Sequence, residues 1–296
     1  MYQVRVLSQG TCTRYVSSSV GVRLGVHNDW FDELSLDPKA HPVAMGTRAL
    51  GTRPWLIADD DFDRDLGLKH DLLTNKPSAV LHTTSASETA GAALAELVGA
   101  EPDDSVHPIE RASRSVQEDL CLLTRHPDGW HLDASCLCFP TRWHLRDKVG
   151  KHIAAVHGPV NDYDPRITDR VDRLFDQLTE RPVWRRNWFL MTNPALHQPD
   201  RPETETIIAS PDAASRVYVR SERQTLRRLA EGWIVFTIRI QQQTLGELLT
   251  TSDKVQAFAA WVEGVSADFG ARRHLTDPQR HELLLALANF SPVQPK

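Results

Sequence analysis

The chain has 296 residues, enough for one large domain or two modest ones with a substantial core. Apolar residues make up 41% and charged residues 25%, which excludes an intrinsically disordered chain. The formal net charge of −5 argues against a general nucleic-acid binder, whose field would be basic.

Residues 1 to about 25 read as a strand-like or weakly ordered extension. The opening MYQVRVLSQGTCTRY has no apolar signal core, so export is not expected and the protein is read as cytoplasmic. No later run approaches the roughly 20 apolar residues that cross a bilayer, so no membrane association is expected. From 41 to 62, Pro and Gly punctuation predicts loops and short turns. Residues 62–75 read as a helix that Pro77 stops. In SASETAGAALAELVG, Ser85 and Glu88 have capping-box spacing, Leu94, Leu97 and Val98 form one apolar face, and Gly99 is the stop.

The middle of the chain changes character. QEDLCLLTRHPDGWHLDASCLCF carries two apolar runs about a Pro-Asp-Gly turn, a hairpin signal. DPRITDRVDRLFDQLTE is an amphipathic helix, with Val171, Leu174, Phe175 and Leu178 at helical spacing. PVWRRNWFLM reads as a strand, and SRVYVRSERQTLRRLAEGWIVFTIRI as a second hairpin turning at AEG. Two or three helices close the chain. Sequential hairpins with flanking helices predict an α+β fold with an antiparallel sheet. The expected organisation is an extension over 1–40, a core over 41–245 and a helical segment over 246–296.

Neither a dinucleotide G-x-G-x-x-G unit, a phosphate-binding G-x-x-x-x-G-K, a metalloprotease H-E-x-x-H nor a G-x-S-x-G elbow occurs. Four cysteines do not make a disulfide framework. Cys136 and Cys138 share a strand face and read as small buried hydrophobes. Eight tryptophans, five of them between 130 and 233, suggest a thick core or a pocket for a flat ligand.

In GKHIAAVHGPV, His152 and His157 stand five residues apart. On a helix they diverge by about 140°, and on a strand they face opposite sides. They make a poor metal pair. One histidine acting alone is more economical, since a single axial imidazole suffices for heme iron. Gly158 and Pro159 leave His157 open to close approach; the plain alternative is a structural histidine in a turn. In VWRRNW, Trp184, Arg186 and Trp188 share one face, and Arg185 and Asn187 the other. An arginine beside aromatic rings can cradle a flat anionic cofactor, or can be a solvated sheet charge. Arg220, Arg223, Arg227, Arg228 and Arg239 add positive charge in the next hairpin. Glu222 can bind a cationic amine or relay protons, or simply pair with an arginine.

Several long blocks, VQEDLCLL, CLCFPTRWHLRDKVGKHIAAVHGPV, RPVWRRNW, ALHQP and ERQTLRRL…VFTIR, occur in an order that resembles the α subunit of heme-dependent oxidative N-demethylases. The upstream MGTRAL is similar too, and the resemblance runs from about residue 40 to 245. Where that family carries Tyr-Lys-Gly before its last helix, this chain reads FGARRHLTDPQR. The resemblance implies a PAS-like antiparallel sheet core with helical additions at both ends, binding heme b. It implies O2-dependent demethylation of a small secondary amine such as dimethylamine, releasing formaldehyde. Electrons would come from NADPH through FMN and a [2Fe-2S] centre on a partner reductase. Carried over by motif, His157 is the axial iron ligand. Arg142, Arg186, Arg223 and Arg239 are cofactor contacts, Trp184 and Asn187 pocket walls, and Glu222 faces the amine, with Glu222 and Asn187 the catalytic candidates. The alternative is a PAS-like heme or small-molecule sensor without turnover, because fold does not fix function. Oligomeric state is left open.

Overall fold

The computed structural model describes residues 25–26, 29–39, 46–153, 165–202 and 212–292. The hairpin signals are realised as strands β5 (Asp119–His126) and β6 (Gly129–Cys136), then β8 (Tyr218–Ala230) and β9 (Trp233–Thr244). Gly129 (φ 135°) and Gly232 (φ 72°) take the left-handed backbone that the two tight turns need. The VWRRNW segment is β7 (Val183–Met191). Three two-residue strands are β2 (Arg48–Ala49), β3 (Ile57–Ala58) and β4 (Leu81–His82), and β3 pairs in parallel with β1 (Gly25–Val26).

Among the described residues, seven strands form one sheet in the order β2-β7-β8-β9-β5-β6-β4, with every neighbouring pair antiparallel. Counted in chain order, its five long strands lie 2-1-5-4-3. Helices flank the sheet, so the fold is a mixed α+β arrangement around a multi-stranded antiparallel sheet.

Both faces of the sheet are covered. On the first face, Trp188, Leu190 and Val219 pack against Phe258, Trp261 and Val262 of helix Ser252–Gly264 and Leu283 of helix Asp277–Ala288. The Trp188 and Trp261 rings meet edge-on at 4.5 Å. Leu120, Leu122 and Val235 continue that face against Leu94 and Ala95 of helix Glu88–Val98. On the second face, Leu123, Ile234 and Ile238 pack against Val171, Phe175 and Leu178, which belong to helix Pro165–Gln177 or directly follow it. Trp30, Trp130, Trp188 and Trp261 are fully buried, so these four rings are core.

One local expectation shifts by a residue. The capping box forms between Thr84 and Ser87, not Ser85 and Glu88. Thr84 caps a single 3-10 turn that leads into the helix, so the helix proper starts at Glu88, where the sequence motif would have placed its third position. Gly99 ends the helix in the left-handed conformation (φ 70°), as its position predicts.

Candidate functional site

Strand alternation divides the candidate residues between the two faces. Trp184, Arg186 and Trp188 alternate inward on β7, and the register sets Arg186 opposite Arg223 and Arg223 opposite Arg239. Three guanidiniums thus cross three adjacent strands on the first face. Asn187 is registered opposite Glu222, on the second face. The candidates therefore do not line one pocket.

The first-face arginines are held by internal acceptors. Arg186 donates to Glu33 Oε2 at 2.6 and 2.8 Å, to Ser221 Oγ at 2.7 Å and to Gln241 Oε1 at 3.0 Å. Burial pushes its pKa down to about 10, with Glu33 opposing. Arg223 donates to the carbonyls of Trp55 and Pro54 at 2.9 and 2.6 Å. Arg239 bridges Asp59 at 2.7 Å and Asp65 at 3.1 Å. Burial raises the pKa of Asp59, but Arg239 beside it and hydrogen bonds from Gln117 and Gln241 together outweigh that, for a net decrease. Arg239 also lines a polar cavity of about 210 Å³ with Asp59, Asp61 and Arg64. Trp184 is buried, with the Arg53 and Arg223 guanidiniums 4.9 and 5.7 Å from its ring centroid. A buried cation with internal carboxylate or carbonyl partners is a structural element first, because removing either partner strands the other.

The second face carries the other constellation. Glu222 is 8% exposed, and its two oxygens accept hydrogen bonds from Thr141 Oγ1 at 2.6 Å and Gln224 Nε2 at 2.8 Å. Gln224 in turn accepts from Arg185 Nε at 2.6 Å. Asn187 Oδ1 accepts from Arg273, which also donates to the Trp188 carbonyl. Arg220 is fully buried and donates to Thr141 Oγ1 (3.0 Å) and to the carbonyls of Phe139 (2.9 Å) and Leu196 (2.8 Å). Burial lowers the pKa of both Arg220 and Arg273 to about 10, while Glu222 acts on both in the opposite sense.

Two further side chains join this face from loops. Arg142 and His274 have φ of 61° and 62°, and they are the non-glycine residues with positive φ among those described. Burial, then the like charge of Arg201, brings the Arg142 pKa down to about 10. His274 stacks on Phe189 of β7 at 5.1 Å and 21°, with Nδ1 3.3 Å from the Leu190 carbonyl. Burial first, then Arg142, hold its imidazole down at about 3; Arg201 and Arg273 act in the same sense. Sequence reasoning missed Thr141, Arg273 and His274. Each reaches the site from outside its strands, and no periodicity marks such a loop residue. Gln224 was legible, because it shares strand parity with Glu222.

His157 lies outside the described residues. Cys136 and Cys138 are buried with sulfurs 3.9 Å apart, as small core residues on one side. Among the described residues, no three His, Cys, Asp or Glu side chains converge as a metal centre, and no helix is long and apolar enough to cross a membrane.

This geometry defines a class: an α+β protein whose antiparallel sheet presents a hydrogen-bonded carboxylate within a buried, cation-rich face. Residues 98–277, more than half of the chain, match the family described as "Haem-dependent oxidative N-demethylase, alpha subunit-like", and the chain belongs to that family. The match spans β5 to β9 and contains Thr141, Arg142, Asn187, Glu222, Arg273 and His274.

The family's description implies heme, and the charge of the second face is the feature that bears on it. Arg142, Arg185, Arg201, Arg220 and Arg273 form a mutually sensed cationic group, opposed by the carboxylates Glu222 and Asp119. Arg185, Arg220 and Arg273 already donate to acceptors within the chain, so what they would offer the carboxylates of a heme periphery is nearby positive charge and not an open donor.

The depressed His274 titration has a measurable consequence in heme-free protein. The unfolded histidine takes a proton near pH 6.5, and the folded one only near pH 3. Stability from His274 is therefore present above the unfolded pKa and lost as pH falls towards the folded one. Lowering the pH from about 6.5 to 5 should cost up to about 2 kcal/mol more in the parent than in His274→Asn. Urea midpoints of both proteins across that range test it, and parallel pH profiles would count against it.

Proposed function

We propose that the protein is a heme-binding oxidative N-demethylase subunit that removes a methyl group from a small secondary amine, such as dimethylamine, and releases formaldehyde. The observation that carries this reading is the family match over residues 98–277 together with a matched sheet face that offers cations, a carboxylate and imidazole to one region. The 2-1-5-4-3 order of the long strands supports the PAS-like description of the core.

His157 is the proposed axial ligand, by its place in AAVHGPV. Arg142, whose charge acts on Arg220 and His274 of the second face, is the proposed propionate contact on that face. For Arg186, Arg223, Arg239 and Trp184, a position on the first face among internal partners supports a role in supporting the sheet behind the site. When bound, heme supplies the iron chemistry with O2 that oxidises an N-methyl group. The chain's own part is binding and orientation. The Glu222 carboxylate, fixed by Thr141 and Gln224, can accept the N–H of the amine, and a buried carboxylate offsets the desolvation of a cationic amine. Asn187, pinned by Arg273, presents its amide next to Glu222 across the strand pair. Electrons from NADPH through FMN and a [2Fe-2S] centre would arrive on a partner reductase, in the cytoplasm.

The test is an absorption spectrum of protein purified from heme-replete cells. A Soret band is expected, and His157→Ala should shift or abolish it. A parent protein with no Soret band sinks the heme reading; an unchanged band in His157→Ala sinks the ligand assignment alone.

A further inference from the structure

We propose that the loop over 141–151, with Arg201 beside it, is the docking surface for an acidic electron-donor protein of the iron–sulfur class; the donor's role, though not the surface itself, rests on the heme reading above. Three observations carry it.

The first is charge. The loop reads TRWHLRDKVGK and holds Arg142, Arg146, Lys148 and Lys151 against the single carboxylate Asp147. Residues 198–201 come alongside it: the Arg142 amide donates to the Gln198 carbonyl at 2.7 Å, and His144 Nε2 lies 3.0 Å from Asp200 Oδ1. With Arg201, five cations stand against two carboxylates, on a chain whose net charge is −5. Like charges sense one another here. Burial first, then Arg201, brings the Arg142 pKa down to about 10, and burial first, then Lys151, lowers that of Lys148. Lys148 is buried, whereas Arg146 (75% exposed), Lys151 and Arg201 reach solvent. The patch has an edge. Next to Lys151, His131 and His152 pair with Asp128 and Asp172 at 3.0 and 3.3 Å.

The second is that the surface is preformed. Leu145 is buried, and Trp143 and Val149 pack against the same second-face core. The 3-10 turn Leu145–Asp147 is closed by the amides of Lys148 and Val149, which donate to the Leu145 carbonyl at 2.9 and 3.1 Å. The Gly150 amide donates to the Leu132 carbonyl at 2.7 Å, and the Leu132 amide to the Lys151 carbonyl at 3.1 Å, so the end of the loop is stitched to β6. A partner landing on a fixed loop has little ordering to offset. Trp143, half-buried between Arg142 and His144, adds the aromatic contact that interface cores favour.

The third is position. Thr141, the first residue of the loop, donates to Glu222 at 2.6 Å, and Arg220 holds the carbonyls of Phe139 and Pro140 just before it. A protein seated on this loop touches residues that adjoin Thr141, so it stands beside the candidate site, where an electron donor has to stand. The sign of the surface selects an acidic partner. Electrostatic steering then gives the fast, weak, salt-sensitive encounters that suit repeated electron delivery.

The experiment uses the full chain with an acidic plant-type [2Fe–2S] ferredoxin as the probe. Calorimetric titration compares the parent with Arg146→Glu/Lys151→Glu and with Arg48→Glu/Arg216→Glu, which reverses two exposed cations elsewhere, on β2 and on the short helix Ala213–Arg216. The parent should bind at about 20 mM salt and lose about tenfold in affinity at about 200 mM. At low salt the loop variant should bind about tenfold more weakly, and the control variant within about twofold of the parent. Arg201→Glu repeats the test at a second exposed position in case the pair disturbs the fold, with a loss of about threefold expected. Equal losses in loop and control variants overturn the surface, because net charge alone then sets the affinity. So does a parent that does not bind at low salt, and so does duplex DNA that displaces the ferredoxin, which would mark a nucleic-acid surface. In heme-loaded protein, reduction of the Soret band by the ferredoxin should slow in the loop variant; an unchanged rate overturns the electron-donor role. A parent with no Soret band overturns the heme reading, while the titration still decides the surface.

Discussion

Arg220→Met should lower the folding stability by about 3–5 kcal/mol, the range seen when one partner of a buried charged network is removed. Methionine matches the volume and length of the arginine stem, so little of the loss comes from packing. It comes from the acceptors. Arg220 is fully buried and donates to the carbonyls of Phe139, Pro140, Ala195 and Leu196, and to Thr141. Those carbonyls lie on two loops, 139–141 and 195–196, that meet over the end of β8. Each buried acceptor left without a donor costs about 1–3 kcal/mol. Glu222 and Asp119, whose charges act on Arg220, would also lose a counter-charge. A domain of ordinary stability has only about 5–15 kcal/mol to lose. Chemical denaturation of parent and variant measures the effect; a loss under about 1 kcal/mol would show that the loops do not depend on this side chain. Arg228→Met is the comparison. Its guanidinium contacts carbonyls at a partly exposed site near the end of helix Pro165–Gln177, so a smaller loss is expected.

The contrast between those two arginines indicates what a sequence can and cannot tell. Both stand in the same hairpin and both look like surface charge by composition. Alternation does assign faces: it puts Trp184, Arg186 and Trp188 on one side of β7 and Asn187 on the other, as the burial pattern has it. The turns were legible too, because Gly129 and Gly232 are the residues a tight reversal needs. Alternation says nothing about what lies above each face. Arg186 finds Glu33 from 153 residues away, and Arg239 finds Asp59 from 180 away. An arginine with a distant carboxylate partner has the same local pattern as one open to a ligand. The same limit hides Thr141, Arg273 and His274, which come to the site through loops and a helix end. Their placement depends on how the chain closes around the sheet, which local periodicity does not encode.

Glu222→Gln should reduce formaldehyde release by about 100-fold or more, the scale of one positioned acid–base or charge-pairing group. The fold should survive. Glutamine is isosteric, and its carbonyl can keep the hydrogen bond from Thr141. Its amide nitrogen, however, would face the Gln224 amide that now donates at 2.8 Å. Gln224 cannot simply flip, because its oxygen accepts from Arg185 at 2.6 Å. One donor–donor contact and the loss of a counter-charge for Arg220 and Arg273 should cost about 1–3 kcal/mol. That is small enough to leave the protein folded and its heme absorption in place. The effect on turnover should be larger, because the neutral amide cannot offset a cationic amine or take its proton. Formaldehyde release with NADPH and a flavin/iron–sulfur reductase measures it, alongside the Soret band as a check on cofactor content. Turnover within about threefold of the parent, with heme intact, would remove Glu222 from the reaction. Absence of turnover in the parent, with a stable heme spectrum and reversible gas binding, would instead favour a sensor built on the same sheet.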